Sequence, residues 1–248
     1  MIALMYHDIV AASAQTTSGF QSADANFYKI APETFARHLA LLRASGADAL
    51  LTFDDAGVSA VHPCADMCDE VGVRAVFFVP TALIGSKGFC TRSDIADLHH
   101  RGHVIGSHSA THPVPISSLK DEALMAEWRT SKDELEAITG ERVRIASVPG
   151  GFTSARVEAA VAKAGYSELF TSTPTRQSRN VSGLQVYGRF SVTRRTSDAT
   201  LAAVLDNSPI PWIHEQMGWK AKGLFKAVGG RAWLSFRRWY FASRGRDQ

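Results

Sequence analysis

The sequence predicts an α/β domain built on parallel strands, and three observations carry that expectation. Short apolar runs alternate with amphipathic helical stretches along most of the chain. The helical stretches open and close on residues that start and stop helices. The chain has 248 residues, 45% hydrophobic and 21% charged, the bulk and balance of a globular core, with no internal repeat and no low-complexity linker. The candidate strands are Ala3–Tyr6, Ala49–Phe53, Ala75–Val79, Val104–Ser107, Ile145–Val148 and Leu169–Ser172. A helix from Glu33 to Ser45 is entered through Pro32 and stops on Gly46. The clearest helix runs from Ser118 to Thr139, where Leu124, Trp128, Ser131, Leu135 and Ile138 recur at steps of three and four. Ser118 and Asp121 form a capping pattern at its start, and Gly140 is its stop. A third helix runs from Ser154 to Ala164 and ends on Gly165. Residues 11–27 are polar and rich in Ser, Ala and Thr, which reads as a long surface loop.

The net charge of +3 is unevenly placed. Residues 215–248 carry eight Lys/Arg against Glu215 and Asp247, a net of +6, so residues 1–214 stand at −3. That split excludes a globally basic nucleic-acid binder. It divides the chain into a domain over 1–214 and a basic, aromatic extension over 215–248. Within the extension, Trp233, Phe236 and Tyr240 fall on one helical stripe with Arg237, Arg238 and Arg244 around it. Such a segment either packs on the domain as a closing helix or meets a membrane interface through residues 229–244. No apolar run approaches the length of a membrane span. Three cysteines, Cys64, Cys68 and Cys90, make a disulfide framework improbable, and Cys64 and Cys68 read as buried small hydrophobes. The opening residues lack a secretory pattern, so the expected location is cytoplasmic, with the membrane inner face as the alternative.

Three predicted strands end in residues that chemistry uses. Leu50–Phe53 runs into Asp54-Asp55, Val104–Ser107 into His108-Ser-Ala-Thr-His112-Pro113, and the strand from Ile145 into Pro149-Gly150-Gly151. Two histidines four apart with a carboxylate suit zinc or a related divalent metal. Adjacent carboxylates at a strand end point in opposed directions, so one can bind metal while the other takes a proton. His99, His100 and His103 look like a second cluster by count, but they fall at a helix end running into Gly102, where polar or cationic residues are expected.

Thr52-Phe53-Asp54-Asp55, His108-Ser-Ala-Thr-His112-Pro113 and Pro149-Gly150-Gly151 resemble the first three motifs of the NodB-type polysaccharide deacetylases, the family-four carbohydrate esterases. The resemblance extends from about Tyr6 to about Ser172. It implies a distorted (β/α) barrel of about seven strands and metal-dependent hydrolysis of N-acetyl groups on amino sugars. Residue by residue, it implies Asp54 as general base, Asp55, His108 and His112 as metal ligands, and a backbone N–H near Gly150 for the oxyanion, within the turn Pro149–Gly151. The implied metal is Zn2+, with Co2+, Ni2+ or Fe2+ as alternatives, and the implied partner is an N-acetylated saccharide.

The acid that protonates the leaving amine usually comes from a late His motif in this family. After Gly151 the chain offers only His214, in a sequence unlike that motif. The opening Leu4-Met5-Tyr6-His7-Asp8-Ile9 instead resembles the poly-N-acetylglucosamine deacetylase branch, where the acid His comes first. His7 is therefore assigned the acid role, with His214 second. Two departures stand out. Ser147 occupies the place of the Arg that tethers the base, and Gly150 that of a Tyr; no aspartate–tryptophan motif follows. Two rival functions remain on the same fold: hydrolysis of another C–N bond, in a formamido sugar or cyclic amide, and a catalytically silent glycan-binding protein.

Overall fold

The computed structural model describes residues 1–151 and 153–219. The basic aromatic segment and its membrane alternative at 229–244 lie outside the described residues. The strands are β1 (Ile2–Tyr6), β2 (Ala49–Phe53), β3 (Val76–Val79), β4 (Val104–Ser107), β5 (Ile145–Ser147), β6 (Glu168–Phe170), β7 (Arg179–Val181), β8 (Leu184–Tyr187) and β9 (Phe190–Ser191). The helices are α1 (Ala23–Asn26), α2 (Pro32–Ser45), α3 (Asp66–Glu70), α4 (Arg92–His100), α5 (Asp121–Thr139), α6 (Ala155–Lys163) and α7 (Asp198–Leu205), followed by a helix over 209–219. No described helix is long and apolar enough to cross a membrane.

The strands form one sheet in the order β7-β8-β6-β5-β4-β3-β2-β1-β9. Every neighbouring pair is parallel except β7 with β8. The sheet curls into the incomplete barrel of the expected fold class, with β7 and β9 as its two edges. All six expected strands are present within a residue or two. Three further strands, β7, β8 and β9, carry the sheet past the expected seven.

The pleat sorts the core into two sides. Along β1, Ile2, Leu4 and Tyr6 join the large apolar cluster with the helices, while Ala3 joins a smaller one with Val76, Phe78, Ile145 and Phe170. Along β3, Phe77 and Val79 go with the helices and Val76 and Phe78 with the interior. Phe35 of α2 meets Tyr6 and Phe53 edge-on, and Phe53 stacks on Phe77. The small cluster fills the curl of the sheet, so this barrel is packed rather than hollow.

Helix α5 buries Leu124, Trp128, Ser131 and Leu135, the stripe its periodicity predicts. Its start differs from the expectation. Lys120 is the N-cap without a side-chain bond, and Ser118 sits in a preceding turn, its Oγ donating to the Pro115 carbonyl. The stretch 11–27 is also more than a surface loop. Ser18 and Lys29 are buried; Ser18 Oγ and Ser59 Oγ both donate to the Asp8 carboxylate, and Lys29 Nζ donates to the carbonyls of Gln15 and Ser18. Burying Asp8 and Lys29 is tolerable because each finds these partners. Cys64, Cys68 and Cys90 are all buried and free, and burial pushes the Cys68 thiol up to about 12.

Candidate active site

The sequence-flagged groups other than His112 and His214 stand where a parallel strand ends, and these ends lie together along the C-terminal rim of the sheet. His7 follows β1, Asp54 and Asp55 follow β2, His108 follows β4 and Pro149–Gly151 follows β5. The ladder fixes two of these directly. Asp54 N donates to the Tyr6 carbonyl (3.0 Å) and His108 N to the Val79 carbonyl (2.9 Å).

Asp54 and Asp55 do not diverge as adjacent strand residues would. At Asp55 the chain leaves the extended conformation, with φ of 75° there and 47° at Ala56. That turn swings both carboxylates toward one imidazole: His108 Nε2 lies 3.9 Å from Asp54 Oδ2 and 3.5 Å from Asp55 Oδ1. The carboxylates differ in their other partner. Asp55 Oδ1 is 3.3 Å from His112 Nε2, whereas Asp54 is held by Arg189. Burial alone would raise both carboxyls. At Asp54 it is outweighed by the charge of Arg189 together with the charges of His108 and His7 and the Arg189 hydrogen bonds, and at Asp55 by the close imidazole of His112 with the charges of His7 and His108, so Asp54 stays below and Asp55 well below the usual carboxylate range.

The donor set fits a divalent cation. Asp55, His108 and His112 each present a ligand atom, all within 4.8 Å of one another, and among the described residues they form the one such group. Asp55 Oδ1 is buried and, beyond the long approaches of His112 Nε2 at 3.3 Å and His108 Nε2 at 3.5 Å, has no hydrogen-bond partner. The His108 ring lies 3.0 Å through Nδ1 from the Ser147 carbonyl, an acceptor, which places the proton on Nδ1 and leaves Nε2 a lone pair. Burial drives the His108 pKa down to about 4, so its neutral, ligating form prevails at neutral pH. At His112 burial pulls the same way, but the hydrogen bond and charge of Asp55 win and raise it. His99 and His100 close α4 as the helix-end reading expects, whereas His103 lies beyond Gly102 and is buried, its Nδ1 accepting from Ala75 N.

His7 is half-buried, its Nδ1 buried without a hydrogen-bond partner, and its ring packs 4.7 Å from that of Tyr28. Its charge is felt by both Asp54 and Asp55. His214 is exposed on the helix over 209–219 and is not among the charges acting on either carboxylate. Pro149–Gly151 forms a tight turn with φ of 67° at Gly150 and 73° at Gly151. A Cβ on Gly151 would overlap Ser172 Oγ, so glycine is required there on both counts.

Arg189 escaped the sequence reading. It lies between β8 and β9, is fully buried, and grips both oxygens of Asp54, Nη1 to Oδ1 at 2.7 Å and Nη2 to Oδ2 at 2.8 Å. Beside it, at the ends of β6 and β8, opens a cavity of about 190 Å3. Hydroxyls of Thr153, Thr171, Thr173 and Thr175, the Gln177 amide and the Tyr187 ring are on its wall.

The family model described as polysaccharide deacetylase matches residues 43–169. YxkH of Bacillus subtilis (strain 168), which bears the polysaccharide deacetylase name, is 24% identical over 158 residues, 64% of this chain. The chain spans 56% of the length of that curated relative. Among solved structures, the deacetylase PplD of Streptococcus pyogenes aligns with a TM-score of 0.68 at 20% identity, over 83% of this chain and 97% of that one. IcaB from Ammonifex degensii aligns at 0.69 and 20% identity over 82% and 95%. The polysaccharide deacetylase BC0361 of Bacillus cereus gives 0.71 and 19% over 82% and 68%. These likenesses show a shared fold, and the match over just more than half of the sequence shows the lineage: the chain belongs to the polysaccharide deacetylase family.

Proposed function

We propose that the protein is a metal-dependent N-deacetylase acting on an N-acetylated amino sugar in a glycan or lipid-linked saccharide. The observation that carries this reading is the convergence of Asp54, Asp55, His108 and His112, with His7 close by, at the C-terminal ends of the parallel strands in a chain of this family. Asp55, His108 and His112 are the ligands of a divalent ion, and Zn2+ suits their donor set best. When bound, that ion supplies Lewis-acid polarisation of the acetyl carbonyl and a lowered pKa for water. Asp54, ionised, accepts a proton from the attacking water as the C–O bond forms. A backbone N–H near Gly150 faces the developing oxyanion, and the side-chain-free turn at Gly150 and Gly151 lets the substrate approach the backbone beside Pro149. His7 then donates a proton to the departing nitrogen as the C–N bond breaks, leaving acetate and a free amine.

A saccharide as substrate draws support from the hydroxyl-lined cavity, which lies on the same face. At about 190 Å3 it falls below the ~300–1,000 Å3 typical of larger ligands and suits one sugar ring. The acetate in the PplD structure is the product such a reaction would release. The early His7 motif favours the poly-N-acetylglucosamine branch.

Metal analysis of purified protein, followed by acetate release from acetylated and formylated amino sugars, tests the reading. Near-stoichiometric divalent metal is expected in wild type and its loss in His108→Ala/His112→Ala. Asp54→Asn is expected to lower the rate by about 100-fold or more, the usual contribution of a general base. Formate without acetate would turn the assignment to a formamido-sugar hydrolase, and no hydrolysis of any sugar to a glycan-binding protein.

A further inference from the structure

We propose that Arg189 is the residue that positions the base, entering from the turn between β8 and β9 to occupy the space left by the short side chain of Ser147. This rests on the assignment of Asp54 as the base. Its guanidinium group has five N–H donors in a fixed fork. Each one is used. Nε donates to the Thr171 carbonyl (3.1 Å), Nη1 to Thr52 Oγ1 (3.0 Å) and Asp54 Oδ1 (2.7 Å), and Nη2 to Asp54 Oδ2 (2.8 Å) and Ser147 Oγ (2.8 Å). The group lies 5.5 Å over the Phe78 ring and is fully buried. Removing a guanidinium from water is costly unless an anion and acceptors meet it in good geometry, and this network provides both.

The backbone is shaped to deliver it. A Cβ on Gly188 would overlap the Thr173 carbonyl, and Arg189 N donates to that same carbonyl (3.0 Å). Ser147 joins the base to the candidate metal ligand. Its hydroxyl accepts from Arg189 and lies 3.3 Å from Asp54 Oδ1, while its carbonyl faces His108 Nδ1. A bidentate fork fixes both the place and the plane of the Asp54 carboxylate, which a point charge cannot do. Positions 147 and 189 therefore form one unit: a small hydroxyl on β5 because the arginine arrives from the other side. Arg189 also lies beyond the segment that the family model matches.

The test compares wild type, Arg189→Lys, Arg189→Met and Ser147→Ala, each zinc-loaded, for acetate release from an N-acetylglucosamine trisaccharide and for metal content. A loss of about 100-fold in kcat is expected for Arg189→Met and for Arg189→Lys, the scale of a misplaced catalytic group, with KM and zinc stoichiometry within about twofold of wild type. Ser147→Ala is expected to lower kcat several-fold at unchanged KM. Rescue by Lys, unchanged kcat in Arg189→Met, or loss of zinc and activity together in the arginine variants would each overturn the proposal. If Arg189→Met does not fold, unchanged kcat in Ser147→Ala overturns it. A wild type that releases no acetate defeats the functional assignment itself, whereas an active wild type with indifferent variants defeats only the role of Arg189.

Discussion

The loop that carries His112 holds two residues in left-handed backbone, Ser109 at φ 62° and His112 at φ 57°. Such conformations cost on the order of 1–3 kcal/mol each and persist only where the surroundings impose them. Here Glu127 of α5 imposes them. Its Oε2 accepts from the backbone N–H of Ala110 (3.0 Å) and Thr111 (2.8 Å), and its Oε1 from Thr111 Oγ1 (2.6 Å). Ser109 Oγ accepts from His112 N, and Ser107 Oγ from Ser109 N (both 3.1 Å). Glu127→Ala should therefore loosen the candidate metal site while leaving the proposed ligands in place. The expected loss is about 10–100-fold in affinity for an added divalent metal, as for other supporting residues, read by chelator competition. Unchanged affinity would show that the loop holds its shape without the carboxylate. At this scale the sequence was legible where chemistry is local: Asp54 with Asp55, and His108 with His112, are close enough in the chain to form patterns. Arg189 and Glu127 left no such trace, because Arg189 meets Asp54 across 135 positions and Glu127 meets Thr111 from another element.

Strands and helices were legible in proportion to their length and burial. β1, β2, β3 and β4 are four or five residues long and mostly buried, so they stand out as apolar runs. β7 and β9 have three and two residues, and β7 is mostly exposed, too little for an apolar pattern. The start of α5 was misplaced because Ser118 bonds back into its own turn, a competing use of a capping residue. Element packing gives a prediction at Gly106, in the middle of β4. A Cβ there would sit 2.6 Å from the Phe78 ring and 2.9 Å from Ile145. Gly106→Ala should therefore push β3 from β5 inside the packed curl and destabilise the fold by about 1–3 kcal/mol, the usual cost of overpacking. Urea unfolding measures it, and a loss below about 0.5 kcal/mol would mean that the Phe78 ring moves aside freely.

The stability of the whole molecule carries a pH dependence that originates away from the carboxylates of the site. His38 of α2 is 1% exposed between β1 and α7. Its Nδ1 meets the Tyr6 hydroxyl at 3.2 Å, and its Nε2 lies 3.8 Å from Asp198 Oδ1. Burial drives its pKa down to about 4; Asp198 opposes this, and Arg37, itself paired with Asp198, adds to it. In the unfolded chain an ordinary histidine takes its proton near 6.5. Between about 6.5 and 4 the unfolded state therefore binds more protons than the folded one, so stability falls as the pH drops and levels off below about 4. The full effect is roughly 3 kcal/mol, from about 1.4 kcal/mol per pKa unit. His103 and His108, also buried and depressed, add contributions of the same sign, so the three must be separated by substitution. His38→Gln retains an acceptor for the Tyr6 hydroxyl and removes the titration. Urea unfolding at pH 7.5 and pH 5 should show wild type losing about 2 kcal/mol more than His38→Gln over that interval. Parallel losses in the two proteins would mean that the folded state accommodates a protonated His38, with Asp198 turning inward to meet it.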